Sequence, residues 1–268
     1  MYRLSLTALL LLSVSALAQE RPDAALQAAV ADSARPAAER ERDRYRHPYE
    51  TLKFFGIEPD MTVVELYPGG GWYSGVLAPY LADEGQLVAA HFNLEREDAP
   101  SYYPRLYDEF VDRFADKDRF GQIKIIPFDP PHKVDLGEPA SADMVLTFRN
   151  IHSWMGDGQL DTVFAAVYDV LKPGGVFGVV GHRLPEDREQ DPEAGTGYVK
   201  ESVVIDAAEK AGFTLAGKSE INSNPQDEAD HPNGVWTLPP NLDVPEGEDA
   251  EGYRRIGESD RFTLKFAK

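Results

Sequence analysis

Two stretches of the chain concentrate residues that could do chemistry. The first is VVELYPGGGWYSG, residues 63–75. An apolar run meets Glu65, then Tyr67 and Pro68, then Gly69, Gly70 and Gly71. Successive glycines remove Cβ atoms and permit positive φ, so backbone can approach a small ligand closely. A helix beginning just beyond would add free N–H groups to the same space. Glu65 stands where it can hold a hydrogen-bond network or a cationic amine. The second stretch is RNIHSW, residues 149–154. Its His152 has an ordinary pKa near ~6.5 and suits general-base work; the plainer alternative is a loop histidine held by a backbone carbonyl. Arg149, Asn150 and His152 are expected to face the glycines, with Trp154 as a wall. His182 and Arg183 form a smaller group of the same kind. Arg44, Arg46 and His47 either contact an anionic group or pair with Glu39, Glu41 and Asp43 along short helices.

These residues need elements to position them. MTVVELY (61–67) is a β-branched buried strand, and Val76, Leu77, Tyr80 and Leu81 after the glycines recur at helical spacing. QLVAAHF (86–92), IKIIPF (123–128), ADMVLTF (142–148) and VFGVVGH (176–182) read as further strands. Helices are expected over 102–116, 159–175 and 202–213, the second stopped by Pro173-Gly174-Gly175. TLAGKSEI (214–221) and RFTLKFA (261–267) read as a final antiparallel pair, the last strand having one wet face. Strands alternating with helices imply an α/β fold with a mostly parallel sheet. In such a sheet ligands bind outside the carboxyl ends of the strands, where the strand order reverses. The glycine turn and RNIHSW both follow strands there. Residues 222–260 are longer than ordinary connections, and GVWTLPP within them should pack.

Composition limits the rest. The chain has 268 residues, 42% of them apolar or aromatic, and a formal net charge of −19. A nucleic-acid binder should carry a basic stripe, and none is visible, so the expected partner is a small molecule. MYRLSLTALLLLSVSALA (1–18) has a positive start, a short apolar core and a small-x-small ending, the pattern of a cleaved export signal. The protein is therefore expected to be periplasmic or secreted, with no membrane insertion. There is no cysteine, so no disulfide or lipid attachment through one. A metal centre needs three or four convergent ligands; the six histidines are scattered, and no metal is expected. The expected organisation is a signal over 1–18, an N-terminal arm and helical lid over 19–56, of which 19–40 should be partly helical and loosely packed, and a Rossmann-like domain over 57–268.

The glycine stretch matches the dinucleotide fingerprint poorly and lacks the phosphate-loop lysine. Acid-x-Gly-x-Gly-x-Gly instead resembles motif I of the class I S-adenosylmethionine-dependent methyltransferases, read here as Glu65, Tyr67, Gly69 and Gly71. LKPGGVFGVV, ADMVLTFRNIHSW and the closing KSEI…RFTLKFAK resemble later elements of that family, over residues ~50–268. More narrowly, RHPYETLKFFGI, ELYPGGGWYS, RNIHSW, GVWTLPP and GESDRFTLKF are similar to a group of exported predicted methyltransferases.

The resemblance implies a Rossmann-like sheet with an antiparallel last strand and S-adenosylmethionine as cofactor. It implies cofactor contacts from Glu65, Tyr67, Pro68, Gly69, Gly70, Gly71, His91, Asn93, Asp129, Arg149 and Asn150. His152 and His182 are the catalytic candidates. Two departures stand out: Tyr67 replaces the first glycine, and His91 with Asn93 replaces the usual ribose-binding acid. Asp129 matches the acid near the adenine amino group. FDPPH resembles the Asp-Pro-Pro-aromatic motif of amino methyltransferases but precedes the fourth strand instead of following it. The implied activity is methyl transfer to a small molecule. The alternative is an exported binding protein that kept the fold and lost the reaction.

Overall fold

The computed structural model describes residues 23–97 and 99–268, so the expected signal over 1–18 lies outside the described residues. Five parallel strands form most of one sheet: β1 (Thr62–Leu66), β2 (Gln86–Phe92), β3 (Lys124–Phe128), β4 (Ala142–Phe148) and β5 (Leu171–His182). Two more complete it, β6 (Thr214–Ser219) and β7 (Arg261–Ala267), in the order β3-β2-β1-β4-β5-β7-β6. Among the described strands only β7 runs the other way, antiparallel to both β5 and β6. The order reverses between β1 and β4, which is the crevice where this class of sheet receives ligands.

Alternation along each strand divides the core into two layers. Successive side chains point to opposite faces. Val63, Leu87 and Met144 therefore pack with α4 (Pro48–Phe55) and α5 (Ser74–Leu81), through Leu52, Phe55, Val76 and Leu77. Val64, Val88 and Val145 pack on the other face with α8 (Ile151–Gly156), α9 (Leu160–Val170) and α10 (Glu201–Ala211). On the first face α6 (Tyr103–Arg113) and α7 (Lys117–Phe120) add Phe110 and Phe120.

Four local expectations are corrected. The helix expected over 159–175 stops at Val170, because Pro173 disfavours helical backbone at Lys172. Leu171 then pairs with Ala142 while the next ladder pair is Val176 with Met144, so KPGG is an irregularity inside β5, not a helix stop. β7 has no wet face: Phe262, Leu264 and Phe266 enter one layer, while Thr263 is 1% exposed and accepts a hydrogen bond from Asn222. The N-terminal arm is packed, not loose. Its helix α1 (residues 23–31) buries Leu26 and Ala29 beside α4 and α5. Finally, Trp154 is not a pocket wall but a core residue, 1% exposed.

The helices α2 (Ala37–Arg40) and α3 (Asp43–Arg46) follow and pass over the crevice. The long connection 222–260 contains a 3₁₀ turn (Gly234–Thr237) and α11 (Ala250–Ile256). It is organised by Asp227, whose buried carboxylate accepts from the Tyr198 hydroxyl, the backbone N–H of Ala229 and Asp260, and the His231 ring.

Candidate active site

A cavity of about 950 Å³ opens at the carboxyl ends of the parallel strands. That lies at the upper end of the ~300–1,000 Å³ usual for ligand sites. The cavity touches the glycine turn through Tyr67, Pro68, Gly69 and Gly70, and the end of β4 through Arg149, Asn150 and His152. The two stretches singled out in the sequence thus share one space.

The glycines do three different jobs. Gly69 has φ +57, and a Cβ built there meets nothing within 4 Å, so this is the open approach to the cavity. Gly70 lines the cavity, and its carbonyl accepts from Arg113 at 3.0 Å. Gly71 is turned away: a Cβ there would lie 2.4 Å from the Phe114 ring. It is a packing glycine, which corrects its expected ligand contact. Gly75 also matters, because a Cβ there would lie 2.3 Å from the Arg113 guanidinium. Arg113 crosses that gap and reaches Glu39 at 2.6 and 2.8 Å.

Several expected ligand contacts lie one layer behind the cavity. The Glu65 carboxylate is buried and accepts from Ser74 Oγ at 2.5 Å. Burial raises its pKa to about 7, against the lowering effect of Ser74, Arg113 and Arg149. His91 is fully buried. The Phe92 N–H donates to its Nδ1 at 2.8 Å, so Nε2 carries the proton and donates to the Gly69 carbonyl at 2.9 Å. Both ring nitrogens are spent on backbone, which removes His91 from the expected hydroxyl contact and makes it the prop of the glycine turn. Burial pushes its pKa down to about 4. Asn93 donates to Asp129 at 3.1 Å, and Asp129 also pairs with Arg96 at 3.3 Å. Neither Asn93 nor Asp129 reaches the cavity wall, whereas Arg96 does. FDPPH follows β3, as its position in the sequence indicated.

The wall itself has two chemically different ends. Beyond β2 it is aromatic: Phe92 stacks on Tyr103 with centroids 3.8 Å apart, and Tyr102 and Pro100 stand beside them. Tyr67 bridges this end to the core, 5.1 Å from Phe92 and 5.9 Å from Trp154, at a φ of +48 that its side chain adopts at a cost. Beyond β4, β5 and β7 the wall carries His152, His182, Trp236, Ser259 and the arginines 42, 46, 149 and 261. His152 and His182 lie 5.7 Å apart. Burial, then the Arg149 cation, lowers the His152 pKa to about 4. His182 is held well below its ordinary value by burial, then by His152, Arg261 and Arg149, and its Nδ1 shares a 2.5 Å hydrogen bond with Ser259. Asn150 spends both amide protons on the Leu66 carbonyl and Thr147, leaving its carbonyl oxygen for a ligand. Arg183, by contrast, turns to Glu220, Glu201 and Asp260 outside the cavity.

Neither a protein-family model nor a curated protein matches the sequence. Solved structures do match. An S-adenosylmethionine-dependent methyltransferase from Aquifex aeolicus superposes with a TM-score of 0.55 at 14% identity, over 85% of this chain and 92% of that one. The chain has the class I methyltransferase fold. Other proteins of that fold also match. The cyclase SpnF gives a TM-score of 0.54 at 13% identity, over 83% of this chain and 80% of that one. A possible exported protein from Bordetella parapertussis gives 0.52 at 16%, over 85% and 68%. In the methyltransferase fold the glycine turn, the exit of β2 and the exit of β4 border one crevice, and here all three contribute to the cavity wall. Sequence reasoning overlooked the aromatic end, Ser259, Glu258 and Arg261. Tyr102 and Tyr103 were visible only as a helix start, and Arg261 only as the first residue of an alternating strand.

Proposed function

We propose that the protein transfers a methyl group from S-adenosylmethionine to a small-molecule acceptor. The observation that carries this reading is the two-ended cavity at the switch point of the sheet, entered over the bare backbone of Gly69. The aromatic end has the flat apolar faces that a purine stacks on. The opposite end, with its cations and imidazoles, is suited to a polar acceptor. The volume leaves room for both at once. When bound, S-adenosylmethionine supplies a methyl group already activated by its sulfonium. The chain's own task is then to align the acceptor and exclude water. Trp236, Pro239 and Pro240 from the long connection, with Glu39 and Arg42 from the N-terminal helices, close the cavity from above. His152 is neutral near pH 7 and can accept a proton from the acceptor at its free ring nitrogen, with His182 beside it. Residues 19–56 act in this reading as a lid, and residues 1–18 as an export signal.

A non-catalytic binder of the same ligand is the second reading. It takes support from His91 and Asp129, whose polar atoms are already taken by the protein, so a bound ligand lacks the ribose and adenine contacts that the resemblance implies and is aligned less firmly for reaction. Calorimetry on the chain beginning at residue 19 tests the first step. Saturable binding of S-adenosylmethionine and S-adenosylhomocysteine, but not NAD, is expected. Absence of binding by either S-adenosyl compound would sink both readings. Once an acceptor is in hand, His152→Ala should lower turnover ~10²–10⁴-fold with little change in cofactor affinity. An equal loss in both would make His152 a binding residue only.

A further inference from the structure

Four guanidiniums and one carboxylate meet at the cavity's cationic end. Arg42 precedes α3, Arg46 ends it, Arg149 follows β4 and Arg261 begins β7. Glu258 is the acid they share: it pairs with Arg42 at 2.5 Å, with Arg46 at 3.2 Å and, more closely, with Arg261. Burial alone would raise the Glu258 pKa, but Arg261, Arg46 and Arg42 override it and hold the group well below the usual carboxylate range. The cavity's other acids are engaged elsewhere or face solvent. Glu39 is bound to Arg113 and Glu109 to Arg105, while Asp157 and Glu193 are exposed.

The cluster therefore holds a surplus of cations in a place that resists them. Arg46, Arg261 and Glu258 are 4%, 2% and 2% exposed. Among the described residues, Arg42 Nη2 and Arg261 Nε are buried without a hydrogen-bond partner. The Arg149 side chain, on the cavity wall, makes no hydrogen bond or ion pair among the described residues. Burial, then Arg261, lowers its pKa to about 10, so it remains charged at neutral pH. Its backbone sits at φ +66, an uncommon conformation for a side-chain-bearing residue. Unpaired buried cations are costly, and guanidinium forks match phosphate and carboxylate oxygens. Salt screens charges beyond ~8 Å at physiological strength, so the chain's net charge of −19 counts for little at the site beside the four nearby guanidiniums.

We infer that Arg149, Arg261, Arg42 and Arg46 bind an oxyanion of the acceptor substrate, a dianionic phosphate or a dicarboxylate, which moves Arg149 from the cofactor contact implied by the resemblance to the acceptor. The anion would complete the charge that Glu258 only partly balances. The word acceptor rests on the methyl-transfer reading; the anion site does not.

Calorimetry with inorganic phosphate and with malonate, on the protein saturated with S-adenosylhomocysteine, tests this. At least one of the two should bind saturably, and which one binds distinguishes the two sources. Arg149→Met should weaken that binding at least ~10-fold and change S-adenosylhomocysteine affinity less than ~3-fold. The same variant should melt about 2–4 °C higher than the wild type without ligand, because a surplus, half-buried cation facing Arg261 is gone. Failure of both probes to bind the wild type would overturn the inference, as would undiminished binding to Arg149→Met or a lower melting temperature for it. Loss of phosphate and malonate binding when S-adenosylhomocysteine is present, but not when it is absent, would assign the arginines to the cofactor's own carboxylate and overturn the acceptor assignment. If S-adenosylhomocysteine never binds while an Arg149-dependent anion does, the anion site stands and the methyl-transfer reading falls.

Discussion

Gly69 and Gly71 are two positions apart and need opposite experiments. Gly69→Ala places a methyl group in open space at φ +57. Its cost is the left-handed backbone, roughly 1–2 kcal/mol, so the protein should fold and its ligand affinity should drop. Gly71→Ala drives a methyl into Phe114 and Phe110. It should lower the melting temperature by more than Gly69→Ala does; denaturation curves of the two variants, beside calorimetry on the folded one, check the order. The sequence made both glycines look alike because spacing reports backbone freedom, not what stands beside a missing Cβ. His91 shows the same limit. Its strand position was readable, but whether a buried ring faces ligand or backbone depends on Gly69, 22 residues earlier in the chain. Arg149, Asn150 and His152 were legible because a strand end fixes their location before any side-chain detail enters.

Among the elements, strands were easiest to read. β1, β2 and β4 are short β-branched or apolar runs bounded by turn residues, and burial on both faces leaves little else for such runs to do. The α9–β5 boundary was misread because Pro-Gly-Gly signals a stop without saying whether helix or strand precedes it. The order within 222–260 was not readable at all, since it depends on Asp227 gathering donors from three separate segments. A consequence for α6 follows from Arg113. It ties α2, through Glu39, to the Gly70 carbonyl of the turn after β1. Arg113→Met keeps most of the apolar stem of the side chain and removes the tie. Amide exchange should then accelerate in residues 37–46 and around 69–71, while β4 and β5 stay protected. Unchanged exchange in the first two segments would mean that Arg113 holds neither.

For the molecule as a whole, buried titratable groups set a pH profile. His91 and His152, with pKa values lowered to about 4, and His182, lower than usual, all stay neutral in the folded state while the unfolded chain binds protons below ~6.5. Their stability contribution is complete above that pH and is lost as pH falls toward 4; for His91 the slope approaches ~1.4 kcal/mol per unit. Glu65 has the opposite sign. Raised to about 7, it favours the folded state below its unfolded value and withdraws that support as pH rises to 7. Three histidines outweigh one glutamate, so melting temperature should climb from pH 4.5 to about 6.5. Glu65→Gln should steepen that climb and remove the residual decline up to pH 7, as melting curves across the range would show. The place of β7 inside the sheet, one strand from its edge, has a consequence of another kind. Among the described residues β6 bonds only to β7, and β7 must enter between β6 and β5 carrying Arg261 at its head. A growing chain that has reached residue 260 therefore has an unfinished sheet and an open-sided pocket. Sheet and pocket wall close only when residues 261–267 join the strands already formed.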